Sequence, residues 1–258
     1  MLGQEGGVIQ SYAHLSAKGR LVDGESESIP HYAASLMKLP LAIAVLQRLA
    51  EGEFSIDRQL VIPASYPSAA SDVEFTIEGD SLDAATPPGS SSTIGMLLRR
   101  SIVVSSNEAT ILLLGLVGCE AVNRVYAQCG ADASFVQRAV FDSAAADAGL
   151  TNVTTALDAA RVVWGLWSGS VLSPEPTRWL LEVLQAQEDR ELLHAGTPTG
   201  AMIGSKSGET SAVRHDCGFV VPPGRAPYFL GVCTTGLSPA LAAEWIRNVA
   251  LRAYRRIE

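Results

Sequence analysis

The chain is poor in the residues that would tie it to a metal, to nucleic acid or to a membrane. Its 258 residues include only four histidines and four cysteines. Cys119, Cys129, Cys217 and Cys233 form neither a C-x-x-C pair nor a dense framework. That pattern argues against a zinc site and against a disulfide scaffold, and predicts buried free thiols with no metal or other cofactor. No run of lysine and arginine occurs and the net charge is −8, with a pI near 5.1. Nucleic acid is therefore not an expected partner. The longest apolar stretch, around residues 111–119, is too short to span a bilayer, so no membrane is expected either. The opening "MLGQEGGVIQSYAHL" has no basic segment ahead of an apolar core. No signal peptide is read from it, and a cytoplasmic protein is expected unless a leader has been trimmed away.

What the chain does have is apolar bulk. Hydrophobic residues make up 47% of it, enough to build one large core or two intimate ones. Residues 7–22 read as a hairpin around "SAKG". A strongly apolar helical pattern runs from Ser35 to about Ala50. Residues 62–92 are rich in Ser, Pro, Asp and Gly and read as a long loop. Helices are predicted from a Ser92–Thr93 cap to Arg100, over 108–117, 120–129, 154–167 and 176–187. After Gly196 come short runs between Gly and Pro turns, which read as strands, and a final amphipathic helix begins near Pro239. A hairpin, many helices, strands and a helix make an α+β architecture rather than an alternating one.

Three polar patterns could carry chemistry. Ser35 and Lys38 lie three apart and share one face of a helix start. A serine hydroxyl needs a base to become a nucleophile, and a lysine serves if burial or a second cation lowers its pKa. On its own the pair reads more readily as a helix cap followed by a solvated lysine, since S-x-x-K occurs by chance in many chains. Against that, Leu36, Met37, Leu39 and the run after Pro40 are apolar, so a lysine there must face a cavity or a partner. Pro40 implies an irregular first turn. Next, Ser105 and Asn107 sit in a polar break inside "IVVSSNEATILLLGLVG", either as chemistry or as capping residues of an inter-helix turn. Last, "GSKSGE" places Lys206, Ser207 and Gly208 at the head of a strand.

Taken together, S-x-x-K, then S-x-N about 70 residues on, then K-[ST]-G about 100 further, form the motif set of the serine penicillin-recognising enzymes. The chain resembles that superfamily over nearly its whole length, and within it the class A β-lactamase branch. "RSIVVSSNEATILLL", "TNVTTALDAARVV" and "GSKSGE…VRHDCGFVVP…YFLGVCTTG" carry the likeness. The resemblance implies a single β-lactamase/transpeptidase-like domain over residues 1–258. An antiparallel sheet flanked by helices (roughly 1–34 and 178–258) would join an all-helical part (roughly 35–177). It implies Ser35 as the acylated nucleophile, Lys38 as its base and Ser105 as a proton relay. It implies Asn107, Lys206, Ser207 and Gly208 as substrate-binding residues, and the backbone N–H groups of Ser35 and Glu209 as the oxyanion hole. The substrate is then a small molecule, a β-lactam or a peptide-like amide or ester bearing a carboxylate.

The chain departs from the family pattern twice, and the first departure costs little because the residue concerned is usually structural. Ser106 stands where the family has the aspartate of S-D-N. The stretch "RAVFDSAAADAGLTNVTT", where the family places its E-x-x-L-N glutamate, holds no glutamate. Its acids are Asp142 and Asp147. Asp142 could serve as a deacylating base, but it reads better as a cap of the following alanine-rich turn, or as an i,i+4 partner of Arg138. The expectation is a serine acyl-hydrolase with weak β-lactam turnover. A carboxypeptidase-like or esterase-like enzyme is the alternative, and a non-catalytic binding or regulatory protein the second.

Overall fold

The computed structural model of the chain describes residues 7–256. Both ends of the chain contribute to one antiparallel sheet. β1 (Ile9–Leu15) and β2 (Leu21–Glu25) form the expected hairpin, with Lys18 exposed in its turn. β3 (Met202–Glu209), β4 (Val213–Val221) and β5 (Tyr228–Thr235) follow from the other end. The order across the sheet is β2-β1-β5-β4-β3, so β3 is an edge strand.

Successive side chains of a strand point to opposite faces, and here both faces are covered. Tyr228, Leu230 and Val232 face one way, into a core shared with Ile246, Val249 and Ala250 of the last helix. Phe229 and Cys233 face the other way, into the larger core. Burial on both faces explains why "YFLGVC" is a continuous apolar run rather than an alternating one. Cys129, Cys217 and Cys233 are buried free thiols and Cys119 is half-buried.

The helices are α1 (Lys38–Ala50), α2 (Ile94–Val103), α3 (Asn107–Gln128), α4 (Ser143–Asp147), α5 (Ala156–Trp167), α6 (Pro174–Gln185), α7 (Leu193–Gly196) and α8 (Pro239–Arg256). Side-chain oxygens of Thr93, Ser106, Asp142 and Thr155 cap α2, α3, α4 and α5. α1 packs against α3, α2 and α5, and is buried from Lys38 to Leu46. The helical and sheet parts interlock more than the sequence suggests. α5, expected in the helical part, lies across β5 and β1, and Gly231 of β5 makes room for it. A Cβ at Gly231 would stand 2.0 Å from the Ala156 carbonyl oxygen.

α3 joins the two helices expected at 108–117 and 120–129, with a break at Gly118 (φ 77°, ψ 159°). Because the halves run on, α3 has the length and mean hydropathy of a membrane-crossing helix, which the shorter uninterrupted apolar run does not. Half of that stretch is buried inside the fold.

Candidate active site

Three elements meet at one cleft. Ahead of α1, residues Ala34–Met37 form a 3-10 turn that carries Ser35. Ser35 is thus not a helix cap: no side-chain cap bond is made at this helix start. The α2–α3 junction supplies Ser105 and Asn107, and the outer edge of β3 supplies Lys206, Ser207 and Gly208. Gly208 is what allows the edge to approach. A Cβ there would lie 2.9 Å from the backbone N of Ser35 and 3.2 Å from that of Leu36. The cleft has a volume of about 800 Å³.

Three non-glycine residues on its walls, Ala34, Ser105 and Phe141, have positive φ (45°, 56° and 65°). Such left-handed backbone is costly without glycine and persists where surrounding structure imposes it. At Ser105 the side chain shows what is gained. Its hydroxyl donates to Ser35 Oγ at 3.0 Å and accepts from Lys38 Nζ and Lys206 Nζ, each at 3.1 Å. Ser35 has no direct bond to Lys38 among the described contacts; Ser105 stands between them.

Both lysines are fully buried. Lys38 Nζ also donates to the Ser105 carbonyl (2.7 Å) and to Asn107 Oδ1 (2.9 Å). Lys206 Nζ also donates to the Ser207 carbonyl (2.7 Å). Burial, and then the neighbouring Lys206 charge, hold the Lys38 ammonium well below the ordinary lysine range, against the opposing pull of Glu108. Burial brings Lys206 down to about 8, with Asp216 opposing.

A protein-family model described as the beta-lactamase enzyme family matches residues 1–257. The chain belongs to this family. The β-lactamase of Sphaerobacter thermophilus DSM 20745 is 26% identical, with a TM-score of 0.79 over 97% of this chain and 92% of that one. A β-lactamase from Xanthomonas campestris pv. campestris str. ATCC 33913 is 25% identical, with a TM-score of 0.79 over 98% of this chain and 91% of that one. A PBP-A variant, solved as an acyl-enzyme complex with penicillin-G, shares the fold at 20% identity, with a TM-score of 0.79 over 98% and 90% of the two chains. No curated protein sequence matches the chain.

Against this family background the remaining expected residues fall as follows. Ser207, Gly208 and Glu209 line the cleft. The Glu209 side chain is half exposed and lies 3.4 Å from Arg214. Asn107 Nδ2 donates to the Ser81 carbonyl, which fastens the long loop to the site.

Asp142 does not line the cleft. It is buried, and its carboxylate accepts from Ser68 Oγ, Ala69 N and Ala145 N at 2.8, 2.8 and 3.0 Å. Burial pushes its pKa up, but these donors and the Arg138 charge outweigh burial and hold it below the usual range. The cap expected at Asp142 is present. The i,i+4 pair with Arg138 is not, because residues 138–142 are not helical and Arg138 bonds to Leu150 O, Ala139 O and Tyr32 Oη. Asp147 is exposed at the end of α4.

Two residues of the site escaped the sequence. Glu108, buried beside the lysines' network, accepts from Asp83 N at 2.8 Å. In sequence it reads as an ordinary acid in a helix first turn. Gln187 lines the cleft from the loop after α6 and belongs to no motif.

Proposed function

We propose that the protein is a serine acyl-hydrolase that forms an acyl-enzyme on Ser35 and releases it slowly when the acyl donor is a β-lactam. The observation that carries this reading is the unbroken line from Ser35 Oγ through Ser105 Oγ to two buried lysines. A neutral Lys38 amine has two N–H donors and one lone pair. Two of its neighbours, the Ser105 carbonyl and Asn107 Oδ1, can only accept. The lone pair therefore faces Ser105 Oγ. With Lys38 neutral, the Ser105 hydroxyl turns from Ser35 to Lys38. As Ser35 Oγ bonds to the substrate carbonyl carbon and the C=O pair moves onto oxygen, the Ser35 proton passes to Ser105 Oγ and the Ser105 proton to Lys38 Nζ. When the carbonyl re-forms, the C–N or C–O bond to the leaving group breaks and that proton returns through Ser105 to the leaving atom. Lys206 stays charged and steadies the relay oxygen. The N–H groups of Ser35 and Glu209 would hold the oxyanion, an effect typically worth about 3 kcal/mol per donor.

Slow release follows from the opposite wall. Arg138, Val140, Phe141, Ser143 and Ala146 are the residues of the 138–155 stretch that line the cleft, and none is an acid. Nothing there resembles a positioned base for water. The same observation favours the second reading, a carboxypeptidase-like or esterase-like enzyme in which Ser105 and Lys38 also serve deacylation. The substrate proposed is small and carries a carboxylate near Lys206 and Ser207. A cytoplasmic site of action is part of the proposal.

The test is incubation with a chromogenic cephalosporin and a fluorescent penicillin, followed by intact mass over time. A persistent adduct is expected, absent in Ser35→Ala and unchanged in lifetime in Asp142→Asn. No adduct and no turnover with any lactam or ester overturns the proposal.

A further inference from the structure

Gln187 is 2% exposed and lines the cleft in the loop that follows α6. Its Oε1 accepts from the backbone N–H groups of Glu188 (3.1 Å) and Asp189 (3.4 Å). That contact fixes which end of the amide is which, since turning the amide over would set an NH2 group against two N–H donors. The other end, Nε2, is buried and has no protein partner among the described residues. Buried donors are rarely left so, because an unmade hydrogen bond is costly.

The loop's position says where this donor stands. Glu188 N donates to the Val103 carbonyl at 3.1 Å, which pins the loop to the end of α2, two residues ahead of Ser105. α6, which delivers the loop, packs on β3, the strand of Lys206 and Ser207. The Asp189 charge is felt at Lys206. Gln187 is therefore at the Lys206–Ser207 end of the cleft. The side chains around that mouth are acidic, with Glu188, Asp189 and Glu209 all lining it. Arg138 is the cleft-lining cation, and its guanidinium is committed to Leu150 O, Ala139 O and Tyr32 Oη. A neutral amide is a donor that can take up negative charge there without repelling it.

We propose that Gln187 is a substrate-binding residue whose Nε2 donates to the carboxylate of the acyl donor, completing the anion pocket begun by Lys206 and Ser207. The proposal rests on the cleft being the acyl-donor site described above. The test is made so that it does not depend on acylation. Affinity for benzylpenicillin and for its methyl ester is measured by calorimetry on Ser35→Ala, alone and combined with Gln187→Glu or Gln187→Met. Gln187→Glu keeps the acceptor that holds the loop and deletes the donor; Gln187→Met deletes both without adding charge.

Both variants are expected to weaken benzylpenicillin binding by on the order of tenfold or more, the usual effect of losing a hydrogen bond to a charged group. Binding of the methyl ester should stay within about twofold of the parent, because the ester no longer presents the charged acceptor that Gln187 is proposed to hold. Equal weakening of both ligands, or no weakening of either, overturns the proposal. So does a Ser35→Ala protein that shows no saturable benzylpenicillin binding. If the wild-type protein forms no adduct, acylation of Ser35 falls while the affinity comparison still decides Gln187.

Discussion

Ser105 Oγ donates to one hydroxyl and accepts from two ammonium groups, so every hydrogen-bonding position on that oxygen is occupied. The proposed relay needs the other setting of that hydroxyl: with Lys38 neutral and Lys206 charged, Ser105 turns to donate to Lys38 Nζ, accepts from Ser35 Oγ and keeps Lys206 as its one cationic donor. The lowered Lys38 supplies the neutral amine, and Lys206, which burial brings to about 8, supplies the cation. Acylation should therefore rise with pH as Lys38 loses its proton and fall again as Lys206 loses its own near pH 8. A second-order acylation rate constant measured from acid to alkaline pH checks this, and a rate still climbing well above that point contradicts it. At this scale the motif residues were legible only as a set, because S-x-x-K, S-x-N and K-[ST]-G in that order resemble the motifs of the serine penicillin-recognising enzymes, while each pattern alone says little. The backbone was not: Ala34 and Ser105 adopt left-handed conformations with no glycine to announce them. Gln187 was invisible for a different reason: it belongs to no motif, and its loop reaches the cleft only through the fold, where Glu188 N bonds to the Val103 carbonyl.

Between elements, small residues decide how closely two segments approach. β3 can lie against the turn of Ser35 only because position 208 has no side chain. Gly208→Ala should push the strand edge off the turn and lower the acylation rate by at least about tenfold, while costing the fold the roughly 1–3 kcal/mol of an overpacked contact. Adduct formation by mass and the midpoint of thermal unfolding separate the two effects. The order and type of the elements could be read from periodicity and from Gly and Pro punctuation. Their joins could not. The Asp142 cap was legible as a cap, but its tie to Ser68, 74 positions earlier, depends on how the long loop returns over α4. The two helices on either side of Gly118 were legible too, and their continuity as α3 was not.

Across the whole molecule, burial sets the response to acid. His14, His31 and His215 are buried, and loss of hydration lowers them to about 4, 3 and 4 from the ordinary 6.5. His215 is neutral by construction: Nδ1 accepts from Thr234 N, so Nε2 donates to the Tyr32 carbonyl. The unfolded chain takes up protons at these imidazoles below about 6.5, and the folded chain does not. Their stabilisation is complete above that pH and is lost as pH falls toward their folded values. Asp216, raised by burial to about 7, and Asp158, also raised by burial, act in the opposite sense and offset part of the loss. The imidazoles outnumber them, so the unfolding midpoint should fall between pH 6.5 and 4, with a slope near 1.4 kcal/mol per pH unit for each uncompensated proton. Thermal unfolding followed over that range tests this, and a flat profile contradicts it.

The chain has three lysines, and two of them, Lys38 and Lys206, are wholly enclosed. Lys18, in the turn between β1 and β2, is the lysine open to solvent. An amine-reactive dye, tether or cross-linker therefore finds one lysine to attack. That handle lies outside the cleft-lining residues, so a molecule anchored through it keeps its cleft open.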